Sequence, residues 1–313
     1  MKLSLVQWLA CPACSADLRA SASREEEGEI LEGRVECLSC RASYPIVNGI
    51  ARFVDDDAYV GSFSFEWNVH QTTQLDSLNG RTDSEGRLRR ELAFPLDELA
   101  GKLVLDVGCG SGRFAEIALR HGATVIGIDL SLAVEAAFRN IGLHPDMHIV
   151  QADVFRLPLK REIFDVIYSI GVLHHTPDCR RAFEQLPKHV KSGGRVAITV
   201  YIAANRVYIA SSNFWRRLTT RLPKRLLYAF CHVAAPLYYV YKLPGLYHLG
   251  MTAFPINMDP DWRWRVLDTF DTYSPRYQSY HTHPEVFAWF EEAGLRNIRV
   301  FGPAVTVTAE KLR

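Results

Sequence analysis

What is scarce in this 313-residue chain narrows its class before any motif is read. Excess charge of either sign is missing: 36 lysines and arginines face 35 aspartates and glutamates, a formal net charge of +1. That balance removes any global pull toward nucleic acid. Long apolar runs are missing too, since no uninterrupted stretch reaches the length that spans a bilayer. Met1 to Ala10 hold one lysine and an apolar region too short for a secretory leader, so a cytoplasmic protein is expected. Aromatic and aliphatic content is at globular levels, which excludes a disordered chain. The length allows one large domain and a small one.

Cysteine is sparse and unevenly placed. Four of the seven form Cys11-Pro-Ala-Cys14 and Cys37-Leu-Ser-Cys40, on either side of a polar stretch. Each knuckle turns two sulfurs toward one point, and two knuckles complete a tetrahedral thiolate set suited to structural zinc. A redox reading needs one such pair in a βαβ context, which is missing. Disulfides are disfavoured in a cytosolic chain. With all four positions filled by protein, the zinc has no open site for catalysis. Asn48-Gly49 is a tight hairpin turn between short strands. The ribbon covers residues 1–54, and Asp55-Asp56-Asp57 opens a linker. Cys109, Cys179 and Cys231 have no ligand spacing and read as small apolar residues.

The stretch from Lys102 to Arg113 organises the rest. Leu103, Val104, Leu105 and Val107 read as a buried parallel strand, followed by Gly108, Gly110 and Gly112 and then a helix over 114–121. Such a turn lets backbone approach a ligand and aims helix amides at it. A second strand, 124–128, ends in Asp129, placed to hold both hydroxyls of a ribose. A third, 148–154, carries Asp153, and a fourth, 164–172, runs into Ser-Ile-Gly-Val-Leu-His-His-Thr-Pro. The helix after Asp178 or Thr176 runs to about Lys191, Gly193-Gly194 stops it, and 195–202 is the fifth strand. Late in the chain, 283–294 is a helix closed by glycine, followed by a hairpin around Gly302-Pro303.

With its Asp-x-Gly-x-Gly-x-Gly spacing and these strand ends, the chain resembles the class I S-adenosylmethionine-dependent methyltransferases over residues 102–202. It is most similar to the group that includes the ubiquinone and menaquinone biosynthesis methyltransferases. The ribbon resembles the small zinc-ribbon activator subunits of some methyltransferases, and ribbons fused ahead of methyltransferase domains. The resemblance implies an α/β, Rossmann-like sheet of seven strands, the last antiparallel, with helices on both faces. The cofactor, S-adenosylmethionine, is then expected over Asp106, Gly108, Cys109, Gly110, Asp129, Leu130, Asp153, Val154 and Ile170. Asp106 would hold the amino group of its methionine part, Asp129 the ribose, Asp153 the adenine amino group and Val154 the ring. Residues 55–101 would lie over it, with Arg81, Arg87 or Arg90 near its carboxylate. Most of these arginines read equally as a solvated helix face.

One local absence stands out. From Ala203 to Met258 there is no aspartate or glutamate, while seven arginines and lysines and many aromatics are present. This insertion, 203–280, interrupts a cofactor domain made of 102–202 and 281–313. Three readings stay open: a helical lid on the core, an interfacial helix pair on anionic lipid, or an RNA surface. The first two favour a small, lipophilic or lipid-linked acceptor, with peripheral contact to an anionic membrane in the second. The polar, aromatic-rich loop 268–283 overhangs the cleft, with Tyr273, Arg276, Tyr277, Tyr280 and His281 as candidates to orient the acceptor. A hydroxyl or acidic carbon acceptor needs a base, and His174, His175 and His281 titrate in the useful range. His174 and His281, with Tyr277, are the preferred catalytic candidates.

Two rivals remain at this stage. An rRNA or tRNA methyltransferase with a zinc ribbon is disfavoured by the near-neutral ribbon and by the absence of an Asn/Asp-Pro-Pro-Tyr motif after the fourth strand. A non-catalytic partner protein is disfavoured by the intact Asp106 and glycines. Acceptor atom and oligomeric state are open.

Overall fold

The computed structural model describes residues 1–54 and 58–312, so the acidic run Asp55–Asp57 read as a linker lies outside the described residues. The ribbon is two hairpins. Strands β1 (Leu18–Glu26) and β2 (Glu29–Cys37) pair antiparallel, as do β3 (Ser43–Val47) and β4 (Ile50–Arg52). Asn48 and Gly49 both take positive φ, 53° and 77°, the turn that suits the twist of a two-residue hairpin.

Helices α1 (Gly61–Val69), α2 (Asp76–Asn79) and α3 (Asp83–Leu92) lead to the central sheet. The helix expected to run to Leu99 stops at Leu92. Ala93 is left-handed there, Pro95 follows, and a short 3-10 turn covers Leu96–Leu99. Five parallel strands then alternate with helices: β5 (Leu103–Val107), α4 (Arg113–Arg120), β6 (Thr124–Asp129), α5 (Ala133–Ile141), β7 (Met147–Gln151), β8 (Phe164–Ile170), α6 (Cys179–Phe183) and β9 (Val190–Val200). Strand β9 begins five residues before the expected 195, since Gly193-Gly194 form a bulge inside it rather than a stop after a helix. The pairing with β8 jumps from Phe164↔Val190 to Val166↔Arg195, and a Cβ on Gly194 would meet the Asp165 carbonyl at 2.8 Å.

The insertion folds as helices α7 (Arg206–Thr219), α8 (Lys224–Ala234), α9 (Leu237–Tyr241), α10 (Leu246–Ala253) and α11 (Trp262–Tyr273). The first part of the expected loop 268–283 is therefore helical. Asp261 caps α11 through the Trp264 amide, and Trp264, Leu267, Phe270 and Tyr273 bury its length. Helix α12 (His283–Glu292) opens with a capping box between Thr282 and Glu285, and strands β10 (Leu295–Phe301) and β11 (Val305–Lys311) close the fold.

The strand order is β1-β2-β3-β4-β7-β6-β5-β8-β9-β11-β10. The seven expected strands are the stretch from β7 to β10, with β11 antiparallel to β9. The sheet is larger than expected, eleven strands rather than seven beside a separate ribbon, because β4 pairs parallel with β7 at Ala51↔Val150 and Arg52↔Gln151. Arg52 reinforces the join, donating to Gln151 Oε1 (2.8 Å) and ion-pairing with Glu135. Side chains on successive residues face opposite layers. Leu105 packs in a core that contains Leu5, Val35 and Ile46 of the ribbon, and Val104 packs with Ile117 and Leu119 of α4. Order reverses between β5 and β8, where open parallel sheets leave a crevice at the strands' carboxyl ends.

Candidate functional site

A cavity of about 660 Å³ occupies that crevice, between the strand ends and the helical cap. Its floor is the turn after β5. The amides of Gly108 and Cys109 donate to the Ile128 carbonyl (2.8 and 2.9 Å), tying the turn to the end of β6. Gly108 has φ of 81°, and a Cβ there would stand 2.4 Å from a Val172 methyl, so only glycine fits. At the tip of β6, Asp129 is clamped: Oδ2 accepts from the Gly110 amide (3.0 Å), and Oδ1 from the Ser131 amide and hydroxyl (2.8 and 2.7 Å). Leu130, Asp153, Val154 and Ile170 complete this end of the wall. Asp153 also caps the next turn, with Oδ1 accepting from the Phe155 amide (2.9 Å).

Helix α1 roofs the cavity and explains why Phe63, Phe65 and Trp67 are all needed on one short helix. Phe63 lies against the His175 ring, Phe65 packs between Tyr228 and Phe270 of the cap, and Trp67 covers Gly110. Tyr59, just before α1, also lines the cavity, and its ring meets Tyr277 edge-on. Of the three arginines named from the sequence, Arg87 lines the cavity beside Gly171. Arg81 is held by Asp259 and Asp83, and Arg90 is exposed beside Glu91.

The cavity also holds polar groups that the sequence did not announce. Arg113, the first residue of α4, is buried, with Nε donating to Ser84 (2.9 Å) and Nη1 to Gln74 (2.8 Å). Burial lowers its pKa to about 9. Asp268 accepts from Asn257 (2.9 Å), Trp264 (3.1 Å) and Gln74 (3.2 Å), and burial raises it to about 7. Burial, with Asp271 and Asp268 nearby, raises the Glu66 carboxyl well above its ordinary value. Glu66 Oε2 and Asp271 Oδ1 meet no hydrogen-bond partner among the described residues, although Asp271 Oδ2 accepts from the Tyr201 hydroxyl (3.1 Å). These acids sit in what read as a bridge and a loop, far apart in sequence, and no local pattern flags them. Beside them, Met251, Ile256 and Met258 add an apolar patch to the lining.

The histidines divide sharply. His175 lines the cavity, and its Nδ1–H donates to the Tyr277 carbonyl (3.1 Å). That leaves Nε2 as the bare nitrogen, 3.9 Å from Asp271 Oδ1. Burial lowers the His175 pKa, keeping the ring neutral. His174 is fully buried behind the wall, stacked on Tyr201 at 3.8 Å. His281 is also behind it, its Nδ1 2.8 Å from Glu285 and its Nε2 2.8 Å from Ser279. Tyr277 reaches the site through its backbone carbonyl. Asp106, placed among the cofactor ligands from the sequence, lies beneath the floor, where it accepts from the Tyr168 hydroxyl (3.2 Å). Cys109 stands on the wall as a small side chain and Cys179 and Cys231 are buried.

Away from the cavity, the sulfurs of Cys11, Cys14, Cys37 and Cys40 lie within 4.8 Å of one another. A tetrahedral ion with sulfur at about 2.3 Å holds its ligands about 3.8 Å apart, so this donor set fits one. The amides of Ser39 and Cys40 point at Cys37 Sγ (3.4 Å each), donors that stabilise a thiolate.

Residues 105–198 match the family model described as a methyltransferase domain. Methyltransferase GfsG of Streptomyces halstedii is 35% identical over 141 residues, covering 43% of this chain and 51% of that protein. A ubiquinone biosynthesis O-methyltransferase of Coxiella burnetii is 34% identical over 100 residues, 31% of this chain and 43% of that one. The chain thus spans about half the length of the curated relatives it matches. Among solved structures, a methyltransferase from Mesorhizobium loti aligns with 20% identity and a TM-score of 0.45, covering 72% of this chain and 97% of that one. The glycine turn, the acid at the tip of β6 and the family match together identify residues 105–198 as a class I S-adenosylmethionine-dependent methyltransferase domain, set here between a four-cysteine ribbon and a helical cap.

Proposed function

We propose that the whole chain methylates a small amphipathic acceptor whose hydroxyl or other protic head enters the acidic part of the cavity and whose apolar part lies along Met251, Ile256 and Met258. The observation that carries this reading is that His175 and Asp271, with Nε2 and Oδ1 3.9 Å apart and neither atom hydrogen-bonded, line one cavity with the glycine turn. Other residues of the lining suit the cofactor: a clamped carboxylate for two adjacent hydroxyls, an apolar slot beside Leu130 and Val154, and Arg87 for a carboxylate. S-adenosylmethionine, held by these residues, would supply an electrophilic methyl carbon to the acceptor's lone pair, with the carbon–sulfur bonding pair leaving on sulfur. His175 Nε2 takes the acceptor proton, and Asp271 stabilises the imidazolium that results. Helix α1 and the cap exclude water and hold the acceptor within reach. Cys11, Cys14, Cys37 and Cys40 hold a structural zinc that fixes the ribbon. The names of the ubiquinone relatives favour an oxygen acceptor, which is consistent with a base in the wall.

Two measurements separate the parts of this reading. Calorimetric titration with S-adenosylmethionine should show binding that Asp129→Ala weakens about tenfold or more, the cost of losing charged hydrogen bonds. His175→Asn should leave that affinity within a factor of two or three, yet lower turnover on a catechol-type test acceptor about 10²-fold or more. Full turnover in the histidine variant would remove the base from the mechanism. Absence of cofactor binding by the wild type would remove the methyltransferase reading itself.

A further inference from the structure

Helices α7 and α8 are apolar on two faces. Their inner faces, with Trp215, Leu227 and Cys231, pack against Val266, Phe270 and Tyr273 of α11. Their outer faces are apolar as well. On α7, Val207, Phe214 and Leu218 are 62%, 56% and 53% exposed, and on α8, Phe230 and Val233 are 52% and 76% exposed. Spacings of seven, four and three residues keep each set on one side of its helix. Both helices pack another side on α11, which leaves these stripes without a partner among the described residues. A soluble cap needs one apolar face per helix, not two.

The charges around these stripes have one sign. Arg206, Arg217, Arg221 and Arg225 are exposed between the apolar residues. The span 203–258 holds seven arginines and lysines and no carboxylate, a formal +7, within a chain whose total is +1. A second copy of this chain is a poor cover, because a two-fold contact would set this positive face against itself. Apolar side chains interleaved with arginines on the same helices match the boundary between acyl chains and anionic headgroups. No helix among the described residues is long and apolar enough to cross a membrane, so the helices would lie along the surface.

We propose that the outer face of α7 to α10 docks on an anionic membrane surface. Helix α10 gives this docking a purpose, a step that rests on the function proposed above. Its Tyr247 and Met251 line the cavity, while Leu246 and Leu249 on the same helix are exposed. One helix therefore separates the apolar patch of the cavity from the docked face, which opens a short route for an acceptor dissolved in the bilayer.

The test is co-sedimentation with phosphatidylcholine vesicles, with and without phosphatidylglycerol. The wild type should pellet with the anionic vesicles and be released as salt is raised. The variant Arg217→Gln, Arg221→Gln, Arg225→Gln should lose about tenfold or more in partition. A second variant, Phe230→Ser with Val233→Ser, should lose binding at low salt as well. Cofactor titration of each preparation checks folding and the methyltransferase reading separately, and it should not change. Three results would overturn docking: a wild type that stays in the supernatant, an arginine variant that pellets like wild type, or a dimer that the Phe230 and Val233 changes dissociate. Salt-sensitive binding to single-stranded RNA without vesicle binding would reassign the face to nucleic acid.

Discussion

Asp106 sits beneath the glycine turn with only neutral donors around it, the Tyr168 hydroxyl and the Ala115 amide. Burial raises its pKa to about 8, against 3.8 for the ordinary group. Between about pH 4 and 8 the folded protein keeps a proton that the unfolded chain releases, so this group's contribution is intact below pH 4 and is lost as pH rises to 8. The slope approaches about 1.4 kcal/mol per pH unit. Asp106→Asn removes the titration while keeping a neutral acceptor. Thermal unfolding of the cofactor-free proteins should show the variant gaining on wild type steadily from pH 5 to pH 8. His70 and His148, each lowered to about 4 by burial, titrate alike in both proteins and drop out of the difference. A pH-independent difference would mean that Asp106 is already ionised. At this scale the sequence was readable where chemistry is tied to a local pattern: Gly108, Asp129 and the cysteine knuckles stand where the spacing puts them. It could not separate His174 from His175. They are the same residue type one position apart, and only the direction of each ring, into the cavity or onto Tyr201, distinguishes them.

The turn between β5 and α4 is the element most sensitive to a single methyl. Gly108→Ala adds a Cβ within 2.4 Å of Val172 at a φ that alanine resists. Overpacking and backbone strain together should cost about 2–4 kcal/mol, read as a lower denaturant midpoint. Adding Val172→Ala should return part of that loss, because it removes the methyl contacts at 2.4 and 2.5 Å but leaves the Val172 Cβ at 2.9 Å and the φ. No recovery would show that backbone strain carries the whole effect. Elements with a strong period, such as α4 and the buried strands, were legible from the sequence. The start of β9 was not, since a glycine pair inside a bulged strand looks the same as one that ends a helix. Helix α11 was missed for a related reason: its aspartates and threonines read as a loop until its neighbours bury the aromatic side chains between them.

At the scale of the whole molecule, ribbon and cofactor domain share one buried layer. Leu5, Val35, Cys11 and Cys37 belong to the same cluster as Leu105, Ile126 and Ile167. Metal removal by a chelator, or Cys37→Ser, should therefore lower the unfolding temperature of the entire chain in a single calorimetric transition. Two transitions, the upper one unmoved, would show that the ribbon unfolds alone. The join between them was not readable in advance. A parallel ladder of two residue pairs carries no periodic signal, and the ribbon's own spacing describes a unit complete in itself.

The pairing of β4 with β7 also decides which strands of this molecule meet other molecules. An open parallel sheet ending at β7 would expose a row of buried-type residues, Met147 to Gln151, with unpaired amides along it. The ribbon pairs with the end of that border, at Val150 and Gln151, and carries the sheet outward to β1. There Arg19, Arg24, Glu25 and Glu26 stand along the strand, and an incoming strand would have to bury them. The ribbon is thus a guard against strand-to-strand aggregation, a service it renders whether or not it ever touches the acceptor.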